Sequence, residues 1–142
     1  MPKIIWSKRY SVNVKKLDKQ HRRIAELVNS MNDRIQAQED SKEIIEGFTD
    51  LIRFSERHFK EEEALMKELG YPDYKRHKKE HKDLTNLLSD IKKQFRKRPD
   101  SFIGLDYDVA NAWLVIHNDW FSVHLIHSDK EFGAFLNKKG IE

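Results

Sequence analysis

The chain of 142 residues has no cysteine, only three prolines and five glycines, and no long apolar run. Without cysteine, disulfides and thiolate ligands are excluded, so nitrogen and oxygen atoms would have to hold any metal. No stretch approaches the roughly 18 consecutive apolar residues of a membrane-spanning helix, and the N-terminus lacks the apolar centre of a signal peptide. We therefore expect a soluble, cytoplasmic protein with no membrane insertion.

Charged residues make up 36% of the chain, and the net charge is +3. Basic pairs such as Lys15-Lys16 and Arg22-Arg23 alternate with acidic residues at helical spacing, and no aromatic stacking platform accompanies them. This pattern is typical of solvated helix faces, so we expect no nucleic-acid partner. The length predicts a single domain over residues 1–142 with a substantial core.

Apolar residues recur at alternating spacings of three and four, which predicts an all-α fold. We predict an extended N-terminal arm over residues 1–16, followed by helices at 17–37, 42–69, 73–96 and 106–125. Ser41 is a suitable N-cap for the second helix, and Gly70 and Pro72 separate the second helix from the third. Four helices with short connections predict an antiparallel up-down four-helix bundle.

Titratable side chains interrupt these apolar faces. His58 and Glu62 are four residues apart, as are His77 and His81, so each pair can face one point. His21 and His124 lie on the apolar faces of the first and fourth helices. Burying such groups without partners costs roughly 1–3 kcal/mol for each, so a metal ion is the simplest explanation. The sequence therefore predicts a metal site in the core of the bundle.

Asp129 follows His124 by five residues. At roughly 100° per residue, their side chains would point about 140° apart in a continuous α-helix. Both can reach one site only if the helix ends or distorts between them. We predict a break just after His124.

A set of short motifs resembles the hemerythrins, and specifically the single-domain bacteriohemerythrins. Each motif is weak by itself, but together in this order they are specific and span nearly the whole chain. In order, they are Trp6, Leu17-Asp18-Lys-Gln-His21, His58-Phe59 with Glu62-Glu63 and Met66, Gly70-Tyr71-Pro72, His77-x-x-x-His81, and Trp120-x-x-x-His124 with Asp129-Lys130-x-Phe132.

The resemblance implies two non-haem iron ions with a bridging oxo or hydroxo group, and reversible binding of O2 by a carrier rather than an enzyme. One iron would be held by His77, His81 and His124, the other by His21 and His58, with Glu62 and Asp129 bridging. The residues expected to line the O2 pocket are Ile24, Phe59, Trp120 and Phe121. We expect a monomer, with an oxygen-consuming enzyme as a partner to test.

Two positions depart from the family pattern. Asn13 stands where Gly is usual, and Asn is the residue other than Gly that best tolerates a left-handed backbone. Phe121 stands where Leu is common, and this larger side chain bears on the size of the pocket and on the release of O2. Two further histidines lie outside the pattern: we expect His117 to support a ligand or pack in the core, and His127 to lie on the surface.

Other functions remain open at this stage. His77-Lys-Lys-Glu80-His81 matches the H-x-x-E-H motif of a zinc metallopeptidase. That interpretation does not explain why His21, His58 and Glu62 would be buried. The nearer alternative is a di-iron enzyme that acts on O2, peroxide or nitric oxide. Oxygen-activating bundles use Glu-x-x-His pairs, and no Glu stands three residues before any His here. A sensor role is a third possibility, and the sequence does not distinguish storage, delivery and sensing.

Overall fold

In a computed structural model of the chain, the structure describes residues 3–97 and 114–142. These residues form α1 (Lys15–Gln36), α2 (Ser41–Leu69) and α3 (Tyr74–Lys97), then the π-helical segment π1 (His117–Asp129), which runs directly into α4 (Lys130–Lys138). No strand occurs in these two ranges. Because α2 packs against both α1 and α3, and π1 packs against α3, the predicted all-α, antiparallel four-helix bundle is confirmed.

The turn between α2 and α3 brings the two four-residue motifs face to face. Gly70 adopts a left-handed conformation with φ of 69°, and the N–H of Tyr71 donates to the Met66 carbonyl at 2.9 Å. This pattern of a left-handed glycine and a hydrogen bond back to the last turn is a common way to end a helix. The start of α2 differs from expectation: Asp40 rather than Ser41 is the N-cap, and its side chain makes no capping hydrogen bond.

The fourth helix corrects two predictions. It does not end at residue 125 but continues to Lys138. It also does not break after His124, because the backbone from His117 to Asp129 is π-helical. In a π-helix each turn closes between residues five apart, so His124 and Asp129 share one face without a break. The predicted start near residue 106, and the loop before it, lie outside the described residues.

The arm packs on the bundle but is not fully extended as predicted. Lys8–Tyr10 form a 3-10 turn, and Ile4, Val12 and Val14 are buried, whereas Ile5 is 80% exposed. The arm therefore contributes Ile4 and both valines to the core, whereas Ile5 faces solvent.

Specific contacts join the arm to α1 and to α4. Asn29 of α1 accepts from the Ile4 N–H and donates to the Ile4 carbonyl, both at 2.8 Å. Gly133 of α4 meets Val12 so closely that a Cβ there would clash with the Val12 carbonyl oxygen. Asn13 has φ of 59°, which agrees with the left-handed conformation expected at that position.

None of the helices described is long and apolar enough to cross a membrane.

Candidate metal centre

Two groups of metal-ligand side chains lie in the core of the bundle. Within each group, the ligand atoms lie within 4.8 Å of one another. The three-histidine group consists of His77, His81, His124 and Asp129, and the two-histidine group consists of His21, His58 and Glu62. All seven side chains are buried, with at most 3% exposure. The structure thus brings together every residue that the sequence analysis proposed as a ligand.

Asp129 contacts both groups. Its Oδ1 lies 2.9 Å from His77 Nε2 and 3.1 Å from His124 Nε2, while its Oδ2 lies 3.4 Å from His21 Nε2. Glu62 turns Oε1 toward His58 Nε2 at 3.2 Å and toward His21 Nε2 at 3.9 Å. A carboxylate can bind metal through either oxygen. The position of Asp129 is therefore the one that a ligand shared by two ions requires.

These short contacts do not satisfy the polar atoms by hydrogen bonds. Within the described ranges, Nε2 of His21, His77, His81 and His124 has no hydrogen-bond partner, nor has any carboxylate oxygen of Glu62 or Asp129. The atoms converge without the directional geometry of donor and acceptor, and each buried unsatisfied group costs about 1–3 kcal/mol. Metal ions between the nitrogen and oxygen atoms would satisfy them together, so the residues fit a centre of two ions.

Charges in the centre oppose the effect of burial. Burial raises the pKa of Asp129, but the His124 and His21 imidazoles outweigh it and hold that pKa well below its usual value. Burial lowers the pKa of His124, but the Asp129 carboxylate outweighs it and raises this pKa to about 10. For His81 burial prevails and the pKa is lowered. Without ions, the centre therefore retains protons that metal binding has to displace.

Three of the five histidines have a partner at Nδ1, the nitrogen that faces away from the centre. Gln20 Oε1 lies 2.5 Å from Nδ1 of His58, Glu63 Oε2 lies 3.2 Å from Nδ1 of His81, and Glu80 Oε1 lies 3.4 Å from Nδ1 of His124. An Nδ1–H that donates to such an oxygen leaves Nε2 free for a metal and fixes the orientation of the ring. We refer to Gln20, Glu63 and Glu80 as the outer partners.

The outer partners were not among the residues predicted from the sequence, although a signal was present. Each is adjacent in sequence to a proposed ligand: Gln20 precedes His21, Glu63 follows Glu62 and Glu80 precedes His81. Because successive helical residues turn by about 100°, the neighbour of an inward residue lies at the edge of the inward face. From that edge it reaches a ligand on the adjacent helix.

The position of Glu80 weighs against the peptidase alternative. Its carboxylate accepts from Ser128 Oγ at 2.8 and 2.9 Å and lies beside the outer nitrogen of His124. A general base has to be within hydrogen-bond reach of the reacting water. Glu80 faces away from the converging Nε2 atoms, so the H-x-x-E-H match does not place a base at the centre.

All four residues proposed for the O2 pocket, Ile24, Phe59, Trp120 and Phe121, are buried. Phe59 stacks on His81 with ring centroids 4.0 Å apart and lies 5.5 Å from Trp120. Phe121 lies beside Trp120 at 6.0 Å and meets Tyr10 of the arm edge-on at 6.2 Å. Their role as a pocket stays a prediction.

The two remaining histidines belong to neither ligand group. His117 is half-buried, with its ring 6.5 Å from that of Phe121. His127 is exposed, as predicted.

Comparison with known proteins agrees with this geometry. The family model of the hemerythrin HHE cation binding domain matches residues 12–136. The bacteriohemerythrin of Methylococcus capsulatus is 30% identical over 90% of this chain and 92% of that protein, and the myohemerythrin of Theromyzon tessulatum is 28% identical over 79% and 82%. A crystal structure of wild-type hemerythrin has a TM-score of 0.72 at 30% identity, covering 92% of this chain and 95% of that one. With its bundle, its two buried ligand groups and this length of match, the chain belongs to the hemerythrin family.

Proposed function

We propose that this protein binds O2 reversibly at a non-haem di-iron centre formed by the two ligand groups. Membership of the hemerythrin family indicates this function. The single observation that carries the proposal for this chain is the pair of adjoining groups, whose buried nitrogen and oxygen atoms converge without hydrogen-bond partners. Such a core is costly for folding unless ions occupy it.

The two groups support the assignment that the family resemblance implies; Glu62 faces His21 and His58, and its role as a shared ligand is part of the proposal. His77, His81 and His124 would hold one iron, His21 and His58 would hold the other, and Glu62 and Asp129 would be the ligands shared by both. When bound, the two irons with their oxo or hydroxo bridge supply the redox chemistry that O2 binding needs. The two-histidine group provides one imidazole fewer, so an iron held there would leave room for O2 to bind. Buried aromatic side chains such as Phe59 and Trp120 exclude water from the surroundings.

We propose a carrier rather than an enzyme, because the ligand set is rich in imidazole. Five histidines and two carboxylates form the two groups, whereas oxygen-activating bundles use Glu-x-x-His pairs. We further propose a cytoplasmic monomer that supplies O2 to an oxygen-consuming enzyme. Cell fractionation tests the cytoplasmic location, size-exclusion chromatography tests the monomeric state, and co-purification tests the association with an oxygen-consuming enzyme.

The main experiment loads the metal-free protein with ferrous iron under anaerobic conditions. We expect two irons per chain, and visible oxo-to-iron charge-transfer bands that appear with O2 and disappear when argon removes it, over repeated cycles. One colourless zinc per chain would contradict the proposal. Continuous consumption of O2, peroxide or nitric oxide without recovery of the gas would favour the enzyme instead.

A further inference from the structure

The outer partners differ in charge between the two ligand groups. In the three-histidine group, His81 and His124 each face a glutamate, Glu63 and Glu80 respectively. In the two-histidine group, His58 faces the neutral amide of Gln20. A carboxylate that accepts the Nδ1–H of an imidazole makes Nε2 a stronger electron donor than a neutral amide does. Two imidazoles of the three-histidine group, His81 and His124, are therefore more strongly donating than His58.

Glu80 is held in place by the same helical segment that supplies a ligand. Ser128 Oγ donates to both carboxylate oxygens of Glu80, and Ser128 directly precedes Asp129 in π1. The Glu80 side chain is 30% exposed and that of Glu63 is 18% exposed, so both carboxylates are partly shielded from water. Partial shielding strengthens the interaction of each charge with its imidazole.

The two groups also differ in their number of ligand atoms. The three-histidine group presents four, including one from the Asp129 carboxylate, whereas the two-histidine group presents three. Asp129 uses Oδ1 toward the three-histidine group and leaves Oδ2 3.4 Å from His21 Nε2. An ion bound through Oδ1 would thus orient Oδ2 as a ligand for a second ion.

We propose that metal loading is ordered, with the first ion entering the three-histidine group and the second entering the two-histidine group, and that Glu63 and Glu80 are the positioning residues responsible. The inference rests on the ligand set of the proposed function and adds the order of loading to it. Neither glutamate binds an ion; each acts through the histidine that it contacts.

The test titrates the metal-free, full-length protein with Co²⁺ alone, whose visible absorption reports the coordination. Calorimetry gives the affinity of each step, and NMR signals of the imidazoles report which group binds. In the parent protein we expect two steps. The first ion should perturb the signals of His77, His81 and His124, and the second should perturb those of His21 and His58.

Charge-removing variants assign the effect to the outer partners. Glu80→Gln and Glu63→Gln keep the shape of the side chain, and each should weaken the first step by about 10- to 100-fold, the usual effect of losing a partner of a metal-binding histidine. The reciprocal change Gln20→Glu should strengthen the second step instead. Asp83→Asn is the matched control, because Asp83 lies on the same helix as Glu80 and pairs with Lys79 at 3.9 Å. It should leave both steps unchanged.

Circular dichroism and the melting temperature of each metal-free variant establish that it is folded. The proposal is overturned if the first ion perturbs His21 and His58, or if Asp83→Asn weakens the first step as much as Glu80→Gln. It is also overturned if the parent and the glutamine variants bind two ions with the same affinities. In those cases two ions still bind and the proposed function stands, whereas a parent that binds no second ion contradicts the proposed function itself.

Discussion

The effect of replacing a histidine should depend on whether its side chain belongs to the centre. His77 is 1% exposed, and neither of its ring nitrogens has a hydrogen-bond partner among the described residues. His127 is exposed and belongs to neither ligand group. The two histidines therefore provide a matched pair for testing the ligand set.

We expect His77→Ala to lose iron, to lose the visible spectrum and to lower the melting temperature of the iron-loaded protein. Binding to the folded state stabilises it by about 2.7 kcal/mol when the free ion is at a hundred times its Kd, and this stabilisation disappears with the ligand. Glu62→Ala should act in the same way, and His127→Ala should have no effect. Iron analysis, the visible spectrum and thermal melts of the three variants measure these effects. Bleaching by His127→Ala, with two irons retained in His77→Ala, would show that the proposed ligand set is wrong.

Phe121 tests the proposed pocket. Its side chain is 1% exposed, and its ring lies 6.0 Å from that of Trp120 and 6.2 Å from that of Tyr10. Phe121→Leu should speed O2 association, because the smaller side chain widens the way in. Phe121→Ala should cost about 3–5 kcal/mol through the cavity that it leaves, and it should speed autoxidation and the entry of azide. Stopped-flow mixing and the decay of the oxygenated spectrum measure these rates. Rates equal to those of the parent would mean that Phe121 does not line the pocket.

At the scale of helices, the sequence predicted the apolar stripes of α1, α2 and α3 because those stripes follow the ordinary helical period. It did not predict π1. The only constraint that the sequence supplies there is that Asp129 and His124 share a site, and a break satisfies it as well as a π-helix does. Since π-helices are rare, the break was the natural expectation. The outer partners were missed for another reason: each contact joins two different helices, such as Gln20 to His58.

The packing of α4 on the arm predicts unequal effects for two glycine substitutions. At Gly133 a Cβ would clash with the backbone of Val12, whereas at Gly47 it would clash with the end of the flexible Met31 side chain. Gly133→Ala should therefore destabilise the protein by about 1–3 kcal/mol, the usual cost of overpacking. Gly47→Ala should cost less, because the clash there is with a side chain rather than with backbone and because Ala favours the helix by about 1 kcal/mol. Urea unfolding of both variants checks this, and equal midpoints would contradict the close approach of the arm.

For the whole molecule, the contribution of the buried centre to stability should depend on pH differently with and without iron. Without iron, burial lowers the pKa of His58, but Glu62 outweighs it and the pKa is raised. The pKa of His124 is raised to about 10, and those of Glu62 and Asp129 are lowered. With iron, the five imidazole ligands have to be neutral. The pH dependence of folding should therefore change with the metal.

In the metal-free protein, a raised histidine pKa stabilises the fold fully below the unfolded value of about 6.5, and this stabilisation is lost as the pH rises toward the folded value. The lowered carboxylate pKa values stabilise the fold above about pH 4 and cease to do so in more acidic solution. The pKa of His81 is lowered by burial, so this histidine acts in the opposite direction, whereas the pKa of His124 is raised to about 10. The melting temperature of the metal-free protein should therefore be highest between about pH 4.5 and 6.5 and fall toward pH 9.

The melting temperature of the iron-loaded protein should not fall as the pH rises over this range but should be lowest in acid, because protons compete with iron for the imidazoles. It should lose iron to a chelator in acid, and it should retain iron and a high melting temperature as the pH rises above about 6.5. Calorimetric melts of both forms across one pH series, with iron analysis of each sample, provide the measurement. His127→Ala is the control, since an exposed histidine outside the centre should leave both curves unchanged. If the melting temperature of the metal-free protein rises steadily from about pH 6.5 to 9, then Glu62 and Asp129 do not raise the pKa values of the imidazoles that they contact.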